Sequence, residues 1–107
     1  MLLSNLRKAN IERNREWDKD SIVTASFRGL ELGWDVGELL NVIKKLERER
    51  LGIRGSRDTV EHLAEELADV FICADLIGMR FGIDIGRAVV EKFNRTSSNY
   101  GLATRLK

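Results

Sequence analysis

The chain has 107 residues, which is enough for one domain and too short for a second independent core. Hydrophobic residues make up 43% and charged residues 33%, a composition that is typical of a folded chain and excludes the disordered class. Lys and Arg number 18 against 17 Asp and Glu, so the net charge of +1 gives no argument for a nucleic-acid or membrane partner.

Compartment follows from three further features. No apolar run approaches the roughly 18 residues that a membrane-spanning helix needs. The N-terminal segment becomes charged too early for a signal peptide. The one cysteine, Cys73, excludes a disulfide within the chain and fits a reduced, buried thiol. We therefore expect a single cytoplasmic domain that comprises residues 1–107 and has no membrane partner.

The first half of the chain predicts two helices. There is no proline to interrupt a helix, and no alternating pattern of the strand type. The first helix is predicted over Ser4–Trp17. The second is predicted over Ser21–Arg50, where apolar residues recur at helical spacing, and a break in it would fall near Gly29 or Gly33.

The second half predicts two more helices after a glycine-containing loop. Asp58 followed by Glu61 resembles a capping box and predicts the start of a third helix that runs to Phe81, with Gly82 as its C-cap. A fourth helix is predicted over Asp84–Ser97, with its first residue as the cap. The tail "NYGLATRLK" is expected to be irregular. The fold class is therefore all-α, with four helices.

The third helix indicates self-association. Between Val70 and Phe81 its apolar residues cover nearly the whole circumference, and only Asp75 and Arg80 interrupt them. A helix that is apolar all round must be surrounded, and three companion helices in so short a chain cover it poorly. We expect a second copy to complete the bundle, as a homodimer or homotetramer.

Two pairs of acidic residues, each pair spaced three positions apart and here called an acidic step, lie in apolar sequence on different predicted helices. Asp35 and Glu38 share a helix face with Glu31, which lies one turn earlier, and Glu66 and Asp69 share another face. Helices pack about 8–10 Å apart, so facing steps would crowd four carboxylates together and raise their pKa values. A divalent cation relieves that repulsion, and oxygen-only ligands favour Mg²⁺ or Mn²⁺.

The alternative is that these acids are solvated surface charges beside Lys44, Lys45 and Arg48. Charged residues at helical spacing usually are. Residue types and spacing leave both interpretations open.

The segments that carry the acidic steps resemble a known family. "DVGE" and "EELAD", the length between them, and "EKFNRTS" are similar to the MazG-like all-α nucleoside triphosphate pyrophosphohydrolases, in which Glu-Glu-x-x-Glu on one helix is followed by Glu-x-x-Asp on a later one. The resemblance covers Arg7 to Leu106. It implies a four-helix MazG-like bundle. It also implies an enzyme that requires Mg²⁺, with Mn²⁺ as a possible substitute. The reaction would cleave a nucleoside triphosphate between the α- and β-phosphates and give a monophosphate and pyrophosphate.

The resemblance also implies site residues. The metal ligands would be Asp35, Glu38, Glu66 and Asp69, and Glu38 or Glu31 would orient the attacking water. This chain departs from the family pattern because Trp34 and Asp35 stand where the family has paired glutamates.

Further residues are implied as substrate contacts. Lys92, Asn94 and Tyr100 would hold phosphate or sugar, and Trp17 would lie near the base. A solvated lysine, a tail tyrosine and a core tryptophan are the alternatives. His62, the only histidine, is expected to cap a helix or lie on the surface.

Two other functions remain open. One is a non-catalytic oligomeric interaction module of the same fold, with a metal site weakened by the Trp34 and Asp35 departure. The other is a nucleic-acid-associated helical protein, although nucleic acid is not the expected partner. Its basic residues would be Arg48, Arg50, Arg54 and Arg57.

Overall fold

The computed structural model describes residues 2–107, which form four α-helices and no strand. The helices are α1, Leu2–Trp17; α2, Ala25–Leu51; α3, Val60–Arg80; and α4, Ile85–Asn99. The main interface lies between α2 and α3, α1 packs against α3, and α4 makes a smaller contact with α1. Among the described residues, no helix has both the length and the apolar character that crossing a membrane requires. The all-α, four-helix prediction is confirmed.

The start of α2 differs from the prediction by four residues. The Asp18 carboxylate accepts the backbone N–H groups of residues 22 and 23 at 2.9 and 3.1 Å, which holds the preceding loop in a turn. Ser21 in this turn has a φ of 54° and so cannot begin a helix. Thr24 is the N-cap, and its side chain accepts the N–H three residues later. Turn chemistry therefore overrides the predicted start at Ser21.

The caps of α3 and α4 test two further predictions. Thr59, and not Asp58, is the N-cap of α3, because its hydroxyl accepts the backbone N–H of His62. The predicted Asp58 and Glu61 capping box is thus wrong, and Asp58 instead accepts the N–H of Thr59 at 2.8 Å. Asp84 caps α4 as predicted, accepting a backbone N–H at 3.0 Å.

A buried polar network joins α1 to α3. The carboxylate of Asp75, which is 1% exposed, accepts hydrogen bonds from Arg7 Nε at 3.1 Å and from Asn10 Nδ2 at 2.9 Å. Arg7 Nη2 also donates to the Ile83 carbonyl, just before α4. Gly78 permits this approach, since an added Cβ would lie 2.8 Å from the Arg7 guanidinium. The network fixes α1 over the middle of α3.

Three glycines lie one turn apart in α2 without breaking it. Gly29, Gly33 and Gly37 all lie inside a continuous helix, so the predicted break near Gly29 or Gly33 is wrong. Each costs about 0.5–1 kcal/mol relative to alanine in a helix interior. A Cβ added at any of them would meet no atom within 4 Å. Nothing within the described chain therefore explains why this face carries glycines.

The helices leave much surface uncovered. The radius of gyration is 17.2 Å, against about 13 Å for a compact domain of this size. The accessible surface is 8150 Å², whereas a compact monomer of 12.2 kDa exposes about 6,100 Å². Val42 and Cys73 are the buried hydrophobic side chains within residues 2–107. The chain thus forms a helical framework whose apolar residues are only partly enclosed.

Candidate functional site

A cavity of about 370 Å³ opens between the first three helices. One wall comes from a single face of α1, and the opposite wall comes from α2 and α3. Its lining residues are Asn10, Arg13, Asn14 and Trp17 from α1; Arg28, Glu31 and Asp35 from α2; and Asp69, Ile72, Cys73 and Leu76 from α3. The cavity therefore has an aromatic and amide wall facing an acidic wall.

The acidic wall centres on Asp35. Burial raises the pKa of its carboxyl, and the charges of Asp69, Glu31 and Glu66 raise that pKa further. Acids from α2 and α3 thus repel one another across the helix interface, which is the electrostatic condition that a bound cation relieves.

Arg28 connects the two walls of the cavity. Its side chain is buried, with Nη1 donating to Glu31 at 2.7 Å and Nη2 donating to the Asn14 amide oxygen at 2.9 Å. The guanidinium also lies 5.2 Å from the centroid of the Trp17 ring, within cation–π range. Arg28 therefore orients one acid, one amide and the aromatic ring at once.

A second network of polar side chains lies at the start of α3, outside the cavity lining. His62 lies between two acids, with Nδ1 2.8 Å from Asp58 and Nε2 3.0 Å from Glu66. The hydrogen bond with Asp58 is the main reason that the pKa of His62 is raised. Asp58 also pairs with Lys45 at 3.8 Å. His62 thus supports the start of α3 and holds the Glu66 carboxylate.

Cys73 lies in the acidic wall as an un-ionised thiol. Its Sγ lies 3.5 Å from the Arg28 carbonyl, to which it donates. Burial, followed by the charges of Asp35 and Glu31, raises the pKa of the thiol to about 11. A thiolate is the reactive form of cysteine, so the raised pKa lowers the reactivity of this thiol at neutral pH.

The structure gathers part of the expected metal set. Asp35 and Asp69 line the cavity, and Glu31 joins them, whereas Glu38 and Glu66 are not among the lining residues. No three His, Cys, Asp or Glu side chains of residues 2–107 are close enough together to hold a metal ion. Asp35, Asp69 and Glu31 carry oxygen donors, and beside the effect of burial the charges of Asp69 and Glu31 raise the pKa of Asp35.

The substrate residues expected from the fourth helix lie elsewhere. Trp17 lines the cavity, but Lys92 belongs to a separate apolar hollow on α4. The Asn94 side-chain amide makes two hydrogen bonds with the backbone of Leu106: Nδ2 donates to the carbonyl at 2.8 Å, and Oδ1 accepts the N–H at 2.7 Å. Tyr100 is 77% exposed. Within one chain, α4 therefore does not contribute to the cavity.

Three of the four basic residues named for nucleic-acid binding have local partners. Arg48 donates to the Ser56 carbonyl, Arg50 pairs with Glu47 at 2.7 Å, and Arg57 donates to a backbone carbonyl. These contacts fit a helix end and loop that stabilise themselves.

Sequence reasoning did not identify Asn10, Asn14 or Arg28 as cavity residues, whereas Trp17, implied as a substrate contact, does line the cavity. Asn10 and Asn14 share one face of α1 with Trp17, a polar and aromatic stripe that periodicity could have revealed. Arg28 stands three residues before Glu31, a spacing that predicts an ion pair but not its burial. Cys73 was expected to be buried, but its place beside Asp35 was not predicted.

Comparisons with known proteins give no relative. No family model matches the chain, and neither the curated proteins nor the solved structures contain a match. The site must therefore be interpreted from its own geometry.

Proposed function

We propose that this chain is a divalent-cation-dependent nucleotide pyrophosphohydrolase of the MazG-like type. It would hydrolyse a ribo- or deoxyribonucleoside triphosphate between the α- and β-phosphates, in the cytoplasm. Water would add to the α-phosphorus, the bond to the bridging oxygen would break, and pyrophosphate would leave. The observation that carries the proposal is the cavity with Trp17 on one wall and the mutually repelling Asp35 and Asp69 on the other.

The two walls match the two parts of a nucleotide. An aromatic ring provides a stacking surface for a base. Asp35 and Asp69 would hold the cation, with Glu38 and Glu66 as the further ligands that the family resemblance implies. Mg²⁺, or Mn²⁺ in its place, would neutralise charge on the phosphate oxygens.

Glu31 is suited to orient the water. Its carboxylate lines the cavity, lies one helical turn from Asp35, and is fixed by Arg28 at 2.7 Å. A carboxylate held in this way can accept a hydrogen bond from an attacking water and so orient it. Glu38, the other candidate, lies one turn beyond Asp35 on the same helix.

The second candidate function is a non-catalytic interaction module of the same fold. It is favoured by the engagement of Glu66 with His62 and by the place of Glu38 outside the cavity lining. In this case the chain would bind a cation weakly or not at all and would release no pyrophosphate.

Pyrophosphate release separates these functions. A panel of canonical and modified NTPs and dNTPs would be assayed with Mg²⁺, with Mn²⁺ and with EDTA. We expect release that requires the cation and falls by at least about 100-fold in Asp35→Asn, Asp69→Asn and Glu38→Gln.

Glu65→Gln is the matched control, because Glu65 is an exposed acid on the same helix as Asp69 and does not line the cavity. It should keep nearly full activity. Absence of release from every nucleotide, with the cation present and the protein folded, would favour the interaction module.

Self-association is part of the proposal. The accessible surface exceeds that of a compact monomer by about 2,000 Å², close to the area that one subunit buries in a large homodimer. The apolar face of α4, with Val89 45% and Phe93 44% exposed, belongs to that excess. We expect a homodimer or homotetramer.

A further inference from the structure

In the middle of α2, the acidic residues face the protein and uncharged residues face outward. In residues 29–40, the three acids Glu31, Asp35 and Glu38 fall within an arc of about 60° at 100° per residue. That arc faces α3 and the cavity, where Glu31 and Asp35 line the acidic wall. A surface helix ordinarily turns its charges outward, so this segment places charge inside and must present something else to the outside.

The outer face of α2 contains no charge over these turns. An arc of about 140° holds only glycine, leucine and tryptophan. Leu30 is 76% exposed, Trp34 is 70% exposed and Leu40 is 57% exposed. We define this surface as the outer face of α2; it comprises Gly29, Leu30, Gly33, Trp34, Gly37 and Leu40.

We propose that the outer face of α2 is the contact surface for a second copy of this chain. The excess of about 2,000 Å² over a compact monomer indicates an occupant of protein size that covers more than one helix. A face without charge gives a nucleic acid nothing to pair with. Two copies related by a twofold axis can bury the same apolar patch on each other.

The glycines allow a close approach at this face. Gly29, Gly33 and Gly37 leave the backbone bare between Leu30 and Leu40, where an added Cβ meets nothing within the chain. A partner helix can seat its side chains against that bare backbone, with Trp34 at the border.

The first experiment is sedimentation equilibrium over a range of protein concentrations. We expect the wild-type chain to associate, and Leu30→Asp and Trp34→Asp each to raise the dissociation constant by at least about 30-fold. Ile22→Asp is the matched control, because Ile22 is also 76% exposed but lies in the loop before α2. It should change the constant by less than about threefold.

Gly33→Ala provides a test that does not depend on a new charge. Alanine favours the helix, so on a free surface it raises the melting temperature and leaves association unchanged. On a docked face the added methyl group separates the helices, and the dissociation constant rises although the helix itself is favoured.

The inference rests on the proposed self-association and not on hydrolysis. A wild-type chain that stays monomeric at every concentration would overturn both the self-association and this face. An oligomer unaffected by Leu30→Asp, Trp34→Asp and Gly33→Ala would overturn the face alone. Binding of the monomer to anionic lipid vesicles, lost in Leu30→Asp, would assign the face to a membrane surface and overturn the proposal.

Discussion

Replacing Asp75 with alanine should strongly destabilise the fold. Removing one partner of a buried ion pair typically costs about 3–5 kcal/mol, because the other charge is left uncompensated. Here Arg7 is 21% exposed and keeps its bond to the Ile83 carbonyl, which moderates the loss. Asn10, 2% exposed, loses its shorter hydrogen bond and retains only a contact of 3.4 Å. We therefore expect a loss of about 2–4 kcal/mol in the free energy of unfolding.

Urea denaturation followed by circular dichroism measures this change, at one fixed protein concentration because association adds to apparent stability. Asp75→Asn is the matched variant: it keeps the shape and one acceptor oxygen, and it should lose about 1–2 kcal/mol. A double-mutant cycle with Asn10→Ala should give a coupling of about 0.5–3 kcal/mol. A loss below about 1 kcal/mol in Asp75→Ala would refute the view that this network holds α1 on α3.

Three further predictions concern ionisable groups. Burial first, and then the charges of neighbouring acids, raise the pKa of Asp35, so its charged form destabilises the fold above its usual pKa. Asp35→Asn should raise the melting temperature at pH 7 by about 1–4 °C, since relief of like-charge repulsion alone is worth about 0.2–0.5 kcal/mol, and it should lose stabilisation by Mg²⁺. A lower melting temperature would contradict this. Cys73, with a pKa of about 11, is thiolate in about one molecule in a thousand at pH 8 and should react far more slowly with a disulfide reagent than a free cysteine does. The hydrogen bond with Asp58 is the main reason that the pKa of His62 is raised, so protonated His62 stabilises the fold below the usual pKa near 6.5, and this stabilisation is lost as the pH rises through the raised value. The melting-temperature difference between wild type and His62→Gln should therefore shrink from pH 6 to pH 8.5. A constant difference would show that the charge of His62 is unimportant.

Local rules predicted much of the helix pattern. The absence of proline and the helical spacing of apolar residues indicated four helices, and Asp84 was identified as a cap because its side chain acts on its own backbone neighbours. The break predicted near Gly29 or Gly33 does not occur, because a weak local propensity does not break a 27-residue helix that is capped at both ends and packed along one side. Asp18 was missed as a turn former because its effect depends on the path of the following loop.

The candidate site was predictable only in part. Helical spacing put Asp35 on one face with Glu38, and Asp69 on one face with Glu66, but left open whether those faces were solvated; the interface of α2 and α3 brings the charges of Asp35 and Asp69 into interaction. Arg28 was missed because a single arginine carries no mark that distinguishes a buried connector from a solvated charge. Lys92 and Tyr100, expected beside the acids, lie apart from them within one chain because α4 contacts only α1 to any extent.

The sequence by itself determined the helices and the periodic placement of acids on α2 and α3, because both depend on residues within a few turns of one another. Only the tertiary structure decided which face of α1 meets the acids, and that Asp75 is paired with Arg7 and Asn10. It also decided that Arg28 is buried where it joins Glu31 to Asn14. The contacts of Arg28 with Asn14 and of Asp75 with Arg7 and Asn10 join residues 14 to 68 positions apart. No local rule relates residues at such separations, because their proximity depends on how whole helices pack.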